Sequence, residues 1–171
     1  NLRDAFGFNF KTLEGRVFAY YTYGAACSEV DVDVLTGEHT VVRSDIVMDV
    51  GTSLNPALDV GQVEGAFLQG VGWCTTEQIV PFRNGALYTR GPGTYKVPGP
   101  GDVPTDFRVS LLKESKNPFA VFSSKGLGEP PLYLGISVMF AIKDAVRSAR
   151  RDAGIDGYFQ MTLPATCERI R

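Results

Sequence analysis

The chain has 171 residues, of which 44% are hydrophobic and 21% are charged, and its formal net charge is -2. This size and composition predict one globular domain with a substantial core, and the near balance of charge argues against a nucleic-acid partner. The sequence has no apolar run of roughly 18 residues and no apolar signal segment, so we expect neither membrane association nor secretion.

Cysteine and histidine usage excludes several kinds of site. Cys27, Cys74 and Cys167 are odd in number and far apart, which predicts reduced thiols and a cytoplasmic location rather than a disulfide framework or a CxxC metal site. His39 is the only histidine, so Ser-His-Asp catalysis, Cys-His catalysis and the usual zinc sites are excluded within this sequence. We therefore predict no metal-ligating residues in this chain.

The first quarter of the sequence predicts a loop followed by a hairpin. Residues 1–16 are polar with spaced glycines, which indicates an entering loop. Apolar and polar residues alternate over 25–34 and again over 41–50, and Thr36-Gly37 between them is a turn signal. We expect an antiparallel pair of strands whose second member turns three residues inward: Val42, Ile46 and Met48.

A glycine-rich helix is predicted from Asp59 to about Gln78. Its buried face comprises residues at helical spacing: Val60, Val63, Phe67, Val71 and Cys74. Glycine costs about 1 kcal/mol against alanine in a helix, so a neighbouring backbone or a ligand must need the space at four positions: Gly61, Gly65, Gly70 and Gly72. Gln62 in the first turn is either part of a capping box with Asp59 or a hydrogen-bonding group for that ligand, and the pattern alone favours the cap.

The second half predicts a loop, two extended segments, a helix and a final strand. The glycine-rich stretch 90–96 is typical of a surface or interface loop. We expect a strand over 107–112, extended chain over 119–123, a helix after Pro130 and a short strand over 159–163. The buried face of that helix is predicted to contain Val138, Ile142, Ala145, Val146 and Ala149.

Glu129 is the candidate catalytic residue. It lies between Gly126-Leu127-Gly128 and Pro130-Pro131, where glycine permits close approach of a ligand and proline presets a helix start. The helix dipole favours the ionised carboxylate, whereas burial in a pocket would favour the neutral form. A carboxylate so placed suits a general base, although the residue pattern by itself favours a helix-capping glutamate in a turn.

Five motifs in the right order resemble the molybdenum hydroxylases, which are the xanthine dehydrogenases and aldehyde oxidases. The resemblance covers nearly the whole chain and rests on the following stretches: residues 22–30, 45–51, 55–57, 61–67 and 126–131. It implies an α+β fold, with mixed strands and two main helices, that forms the C-terminal portion of a larger molybdopterin-binding domain over residues 1–171. The stretch 123–128 is similar to aldehyde oxidases, but Glu129-Pro130-Pro131 occurs in both groups, so the choice between them stays open.

The resemblance also implies roles for two residues. Glu129 matches the family's catalytic general base, and Gln62 matches a glutamine that hydrogen-bonds the molybdopterin cofactor. In that family the base removes a proton from a molybdenum-bound hydroxyl, the oxygen attacks an electron-poor carbon of an aldehyde or N-heterocycle, and hydride passes to a sulfido ligand of the metal. The alternative is a non-catalytic packing or interface module in which Glu129 is vestigial.

Several parts of such an enzyme are expected elsewhere. The resemblance implies FAD, two [2Fe-2S] clusters and substrate-orienting residues outside this sequence, and a homodimer in the full-length protein. The chain does not begin with Met and ends inside what resembles a new helix. We therefore expect a fragment that requires the remainder of its molybdenum domain, is inactive alone and exposes an apolar patch near Phe67, Trp73 and Leu127. The starts of the two main helices should lie close together, because both would face one cofactor.

Overall fold

The computed structural model describes residues 7–171 and confirms an α+β architecture with mixed strands and two main helices. The expectations for residues 1–6 lie outside this part of the chain. In chain order the strands and α-helices are β1 (Gly7–Asn9), β2 (Glu14–Arg16), β3 (Gly24–Val32), β4 (His39–Met48), α1 (Pro56–Thr75), β5 (Asp106–Leu111), α2 (Ile136–Asp152) and α3 (Cys167–Ile170). Three 3-10 helices intervene at Pro100–Asp102, Val121–Ser123 and Pro130–Gly135.

The main sheet has the order β3-β4-β5, with β3 antiparallel and β5 parallel to β4. The predicted hairpin and the strand over 107–112 are thus confirmed, and the turn lies where Thr36-Gly37 predicted it. A bulge changes one inward residue: Glu29 pairs with Arg43 and Val30 with Val41, so Val42 is the extra residue. Val41 therefore faces the core in place of Val42, whereas Ile46 and Met48 are buried as predicted.

One core joins the inward face of this sheet to α1 and α2. Phe67 of α1 is fully buried, and its ring centroid lies 5.4 Å from that of Phe107 in β5. Val138 and Ile142 of α2 are buried in the same cluster. Burial of each such side chain contributes roughly 1.5–3 kcal/mol, so this cluster sets the position of both helices on the sheet.

Helix α1 begins three residues before the predicted start at Asp59. Its N-cap is Asn55, whose side-chain oxygen accepts a hydrogen bond from the Leu58 amide at 3.4 Å, and Pro56 occupies the first helical position. Asp59 instead accepts a hydrogen bond from the Ser53 hydroxyl. The capping interpretation of Asp59 and Gln62 is therefore wrong, and Gln62 lies in the second turn. The helix ends at Thr75 rather than near Gln78.

The extended chain predicted over 119–123 is wrong. Phe122 and Ser123 have positive φ angles of 49° and 65° within the 3-10 helix Val121–Ser123. The cause is the buried residue Asn117. Its side-chain amide donates to the Ser124 carbonyl at 2.8 Å, and its backbone N–H donates to the Ser123 hydroxyl at 2.7 Å. These bonds draw the backbone into a tight loop that apolar alternation could not predict.

Three other predictions need correction. Residues 7–16 form the β1–β2 hairpin rather than a loop. The helix after Glu129 starts as the 3-10 helix Pro130–Gly135, and Ala145, Val146 and Ala149 in α2 are half-buried. Residues 159–163 form no strand, and the Arg150 guanidinium of α2 lies 5.0 Å from the centroid of the Phe159 ring.

Helices long and apolar enough to span a membrane are absent from residues 7–171.

Candidate functional site

Glu129 lines a cavity of about 1170 Å³. The residue is exposed and occupies the N-cap position of the 3-10 helix Pro130–Gly135, but its side chain makes no capping hydrogen bond. The capping interpretation of Glu129 is therefore not supported by the structure. Four parts of the chain supply the cavity wall: residues 18–24, Met48, Trp73 and residues 126–134. The carboxylate thus lies at the edge of a space large enough for a small organic molecule.

Aromatic side chains form much of the cavity rim. Phe18, Tyr21, Trp73 and Tyr133 are each more than half exposed and line this space. Flat aromatic surfaces favour stacking with planar ligands. We refer to these four side chains as the aromatic rim.

The chain segments that lead into the two helices run side by side. The Lys125 amide donates to the Val50 carbonyl at 3.0 Å, and the Thr52 amide donates to the Ser123 carbonyl at 2.8 Å. Thr52 precedes α1 by four residues, and Lys125 precedes Glu129 by the same interval. The sequence predicted that the two helix starts approach each other, and this bridge places their entry segments together.

Helix α1 and the 3-10 helix Pro130–Gly135 contact each other further along α1, where two glycines meet. A Cβ at Gly70 would overlap the Leu132 carbonyl oxygen, and a Cβ at Gly135 would overlap the backbone of Gly70 and Val71. Close backbone packing therefore explains one of the four helix glycines, and Gly72 packs against the side chains of Glu77 and Pro98. These two positions fit the expectation of a neighbouring chain.

The other two helix glycines lie on an open face. A Cβ built at Gly61 or Gly65 meets no atom within 4 Å in the described structure. Exposed residues spaced three or four apart continue this face along the helix: Leu58, Gln62, Gly65, Gln69 and Trp73. We call these five residues, together with Gly61, the open face of α1. Its last member is also part of the Glu129 cavity, so face and cavity are continuous at Trp73.

Gln62 and Glu129 do not line the same cavity. Gln62 is exposed on the open face, and it precedes Trp73 by eleven residues, which corresponds to about 16 Å along a helix. The two sequence-predicted site residues are therefore separated: Gln62 lies about three turns before Trp73 on α1, and Glu129 lines the cavity that Trp73 also lines. A ligand that contacts both residues must extend along α1.

A buried ion pair behind the cavity was missed by the sequence analysis. The Lys125 ammonium bonds to the Asp49 carboxylate, and the side chains are only 7% and 5% exposed. Asp49 also accepts hydrogen bonds from the Ser115 hydroxyl and the Gly51 amide. Burial raises the pKa of Asp49, but the bonds from Lys125, Ser115 and Gly51 outweigh it and hold the pKa below its usual range. No local pattern marks such a pair, because its members are 76 positions apart.

A further hydrogen bond connects residues 18–24, which carry part of the aromatic rim, to the loop before Glu129. The Tyr20 hydroxyl accepts a hydrogen bond from the Gly126 amide at 3.0 Å, and both residues line the cavity. Within the described residues, no group of three or more His, Cys, Asp and Glu side chains is arranged to hold a metal ion.

Comparison with known proteins gives consistent results. Residues 3–104 match the family model described as molybdopterin cofactor-binding domain. The chain is 58% identical to a xanthine dehydrogenase of Dictyostelium discoideum over 92% of its length and 54% identical to aldehyde oxidase 1 of Rattus norvegicus over 95%. It spans only 12% of the length of each of these relatives.

Two solved structures share the fold. Quinoline 2-oxidoreductase from Pseudomonas putida 86 superposes with a TM-score of 0.69 and 30% identity, covering 82% of this chain and 17% of that one. Aldehyde oxidoreductase from Desulfovibrio gigas gives a TM-score of 0.71 and 27% identity, covering 90% and 15%. In both cases this chain corresponds to a small part of a much longer polypeptide.

Proposed function

Because the chain belongs to the family of molybdopterin cofactor-binding domains, we propose that it contributes one wall of the active site of a molybdenum hydroxylase. Residues 1–171 would form the C-terminal portion of the molybdenum domain. The substrate would be an aldehyde or an N-heterocycle, such as a purine. The observation that carries this proposal is Glu129, an exposed carboxylate without a capping bond that faces a large cavity with an aromatic rim.

The open face of α1 fits the cofactor. Gly61 and Gly65 leave the helix backbone uncovered, so a flat polar group can approach it closely. Between them the exposed Gln62 amide offers both a donor and an acceptor, which matches the edge of a pterin ring. We assign Gln62 the role of holding the pterin by hydrogen bonds. When bound, the cofactor supplies the redox chemistry.

Glu129 would act as the general base. Its backbone is fixed by Pro130 and Pro131 on one side and by the buried Leu127 on the other. The root of the side chain is therefore held beside the cavity, within which the carboxylate oxygens can accept a proton during oxidation. Such general-base catalysis contributes about 10²–10⁴ in rate. The aromatic rim would stack a flat substrate beside the carboxylate.

Other features of the full-length protein follow from the family resemblance. We propose that FAD and two [2Fe-2S] clusters are bound outside this sequence and that the complete protein is a homodimer in the cytoplasm. The similarity to both xanthine dehydrogenases and aldehyde oxidases supports the hydroxylase and does not favour the non-catalytic alternative.

The proposal is tested on the longest natural product that contains this sequence. Molybdenum and pterin content are measured first, followed by oxidation of an aldehyde and of a purine by the wild type, Glu129→Gln and Glu38→Gln. Glu38 is exposed in the turn before β4 and does not line the cavity, so its variant is the matched control. We expect bound molybdenum in all three proteins and loss of turnover only in Glu129→Gln. A complete molybdenum domain without bound metal would refute the proposal.

A further inference from the structure

We propose that Lys125 is a positioning residue for Glu129. Its buried ion pair with Asp49 fixes the distance between the Glu129 carboxylate and the aromatic rim of the cavity. This inference rests on the proposed role of Glu129 as the general base. Lys125 itself does not line the Glu129 cavity, so it would act through the backbone rather than on substrate.

The ion pair differs from the others in the described chain by its burial. The Lys125 and Asp49 side chains are 7% and 5% exposed, whereas the four other ion pairs in residues 7–171 involve side chains that are at least 40% exposed. Burial of two charges carries a desolvation cost that often cancels their attraction, so such a pair is weak evidence for a role in stability alone. The contacts that the ion pair makes with other segments are therefore more informative than its contribution to stability.

Three separate segments meet at the Lys125 ammonium. It contacts Asp49, which directly follows β4, and it donates to the carbonyl oxygen of Tyr21 at 2.9 Å. Tyr21 belongs to the aromatic rim, and the backbone amide of Lys125 is itself held by the Val50 carbonyl. The Lys125 side chain therefore connects residues 18–24 and the end of β4 to the loop that carries Glu129.

The loop between Lys125 and Glu129 has few other anchors. Gly126 and Gly128 have no side chains, and only Leu127 between them is buried, at 6% exposure. The Tyr20 hydroxyl bonds the Gly126 amide, and that tyrosine lies in the segment that Lys125 holds through Tyr21. Loss of the ion pair should therefore weaken both the Lys125–Tyr21 and the Gly126–Tyr20 hydrogen bonds. The Glu129 carboxylate could then shift relative to the aromatic rim. Misplacement by about 1 Å can cost 10²-fold in rate.

The experiment compares four variants of the full-length holoenzyme and a fifth that combines Lys125→Met with Glu129→Gln. Lys125→Met removes the ammonium but leaves Asp49 buried and unpaired, so it can also lower stability. Asp49→Asn/Lys125→Met removes both charges, which should restore folding because neither partner is left uncompensated. Lys96→Met removes the same charge from an exposed lysine and is the matched control. Glu129→Gln reports on the base assignment itself.

Rates are expressed per bound molybdenum, so loss of folded or loaded enzyme does not count. We expect the double variant to regain most of the thermal stability but to keep a kcat reduced about 10- to 100-fold, with KM changed by less than about threefold. In cofactor-free protein, hydrogen exchange of the peptide that spans 121–134 should be faster in the double variant than in the wild type. Lys96→Met should match the wild type in both measurements.

The outcomes separate the two proposals. A double variant with wild-type kcat and wild-type exchange over 121–134 overturns the positioning role, even if Glu129→Gln is inactive. Wild-type kcat in Glu129→Gln overturns the base assignment instead, whatever Lys125 does. If both hold, adding Lys125→Met to Glu129→Gln should cause almost no further loss, because there is no base left to position.

Discussion

At the scale of single residues, Glu129 and Gln62 differ in how their side chains are held. The backbone of Glu129 is restrained by prolines and by a buried leucine, while its carboxylate caps nothing. Gln62 lies on a regular helix with its amide exposed, so its position is fixed by α1 and its bonding capacity is free for a ligand. The two residues should therefore give different phenotypes when they are changed.

Replacement of Gln62 by alanine should weaken cofactor retention. Alanine keeps the helix but removes the amide, so we expect Gln62→Ala to lose about 1–2 kcal/mol of pterin affinity, a typical cost of an unmade hydrogen bond. Molybdenum and pterin content after dialysis of the full-length enzyme measure this loss. Gln160→Ala, at an exposed position outside both helices, is the control. Equal cofactor content in Gln62→Ala and the control would contradict the assignment.

The buried Asp49 predicts a specific dependence of stability on pH. Its folded pKa lies below the unfolded value of roughly 3.9, so its contribution to stability is present above that pH and is lost as pH falls through the folded pKa. Asp49→Asn leaves Lys125 unpaired and should cost about 3–5 kcal/mol at pH 7. Calorimetric melting temperatures of wild type and variant should differ at pH 7, begin to converge as pH falls below about 4, and meet only below the folded pKa of Asp49. A gap that persists in acid would show that Asp49 does not titrate as proposed.

At the scale of elements, α1 has two different sides for its glycines. Gly70 permits close contact with the chain at Leu132 and Gly135, whereas Gly61 and Gly65 face open space. The sequence alone indicated only that four glycines in one helix need a reason. It could not separate the two reasons, because contact at Gly70 depends on a chain segment more than sixty residues later.

Alanine substitutions separate these two roles. Gly70→Ala should destabilise the domain by several kcal/mol, because the new methyl group overlaps the Leu132 carbonyl. Gly65→Ala meets no protein atom and should stabilise α1 by up to about 1 kcal/mol, but it should reduce cofactor retention by covering the backbone. Thermal melting and molybdenum content of both variants test this contrast. Normal cofactor content in a fully folded Gly65→Ala would contradict the proposed pterin surface.

The elements that the sequence predicted well are those with a regular apolar period. The alternation that ends in Ile46 and Met48 gave β4, and the helical spacing of Val63, Phe67 and Val71 gave α1. The predictions that failed did so because of local interactions that the hydrophobic period does not reveal. A bulge put Val41 in the core in place of the predicted Val42, and Asn117 and Ser123 folded the chain before Glu129 into a 3-10 helix through hydrogen bonds between side chains and backbone.

The candidate site was only partly predictable for the same reason. Glu129 and Gln62 were identified from motifs that are contiguous in sequence. Lys125 and Asp49 gave no signal, since their pairing depends on the tertiary fold and a buried charge cannot be recognised from composition. The aromatic rim also draws on residues from three distant segments.

At the scale of the whole molecule, the described chain exposes many large apolar side chains. The sequence predicted an exposed patch near Phe67, Trp73 and Leu127. That prediction is wrong for Phe67 and Leu127, which are 0% and 6% exposed, because both belong to the core beneath the cavity. Trp73 is 58% exposed and joins the aromatic rim, so the patch lies around the cavity mouth instead. Contiguous apolar patches of several hundred Å² usually mark interaction surfaces.

The isolated chain should therefore bind a hydrophobic dye or self-associate. We expect Trp73→Ser/Tyr133→Ser to reduce dye fluorescence by at least about half, since it removes two members of the aromatic rim. Tyr158→Ser, at a tyrosine that is 85% exposed outside the rim, should change little. Dye titration and light scattering measure both effects. A dispersed wild-type monomer that binds no dye would contradict the expectation that further protein covers this face.

The central claim is that Glu129 removes a proton during substrate oxidation. Gln keeps the side-chain shape but has no basic oxygen, whereas Asp keeps the base and withdraws it by one methylene. The most direct measurement is single-turnover reduction of the molybdenum centre by substrate in the full-length enzyme, with molybdenum content determined on the same sample. The account predicts that Glu129→Gln holds normal molybdenum and is reduced at least about 10²-fold more slowly, with Glu129→Asp keeping a small remnant. A normal reduction rate in Glu129→Gln, or loss of the metal from that variant, would contradict it.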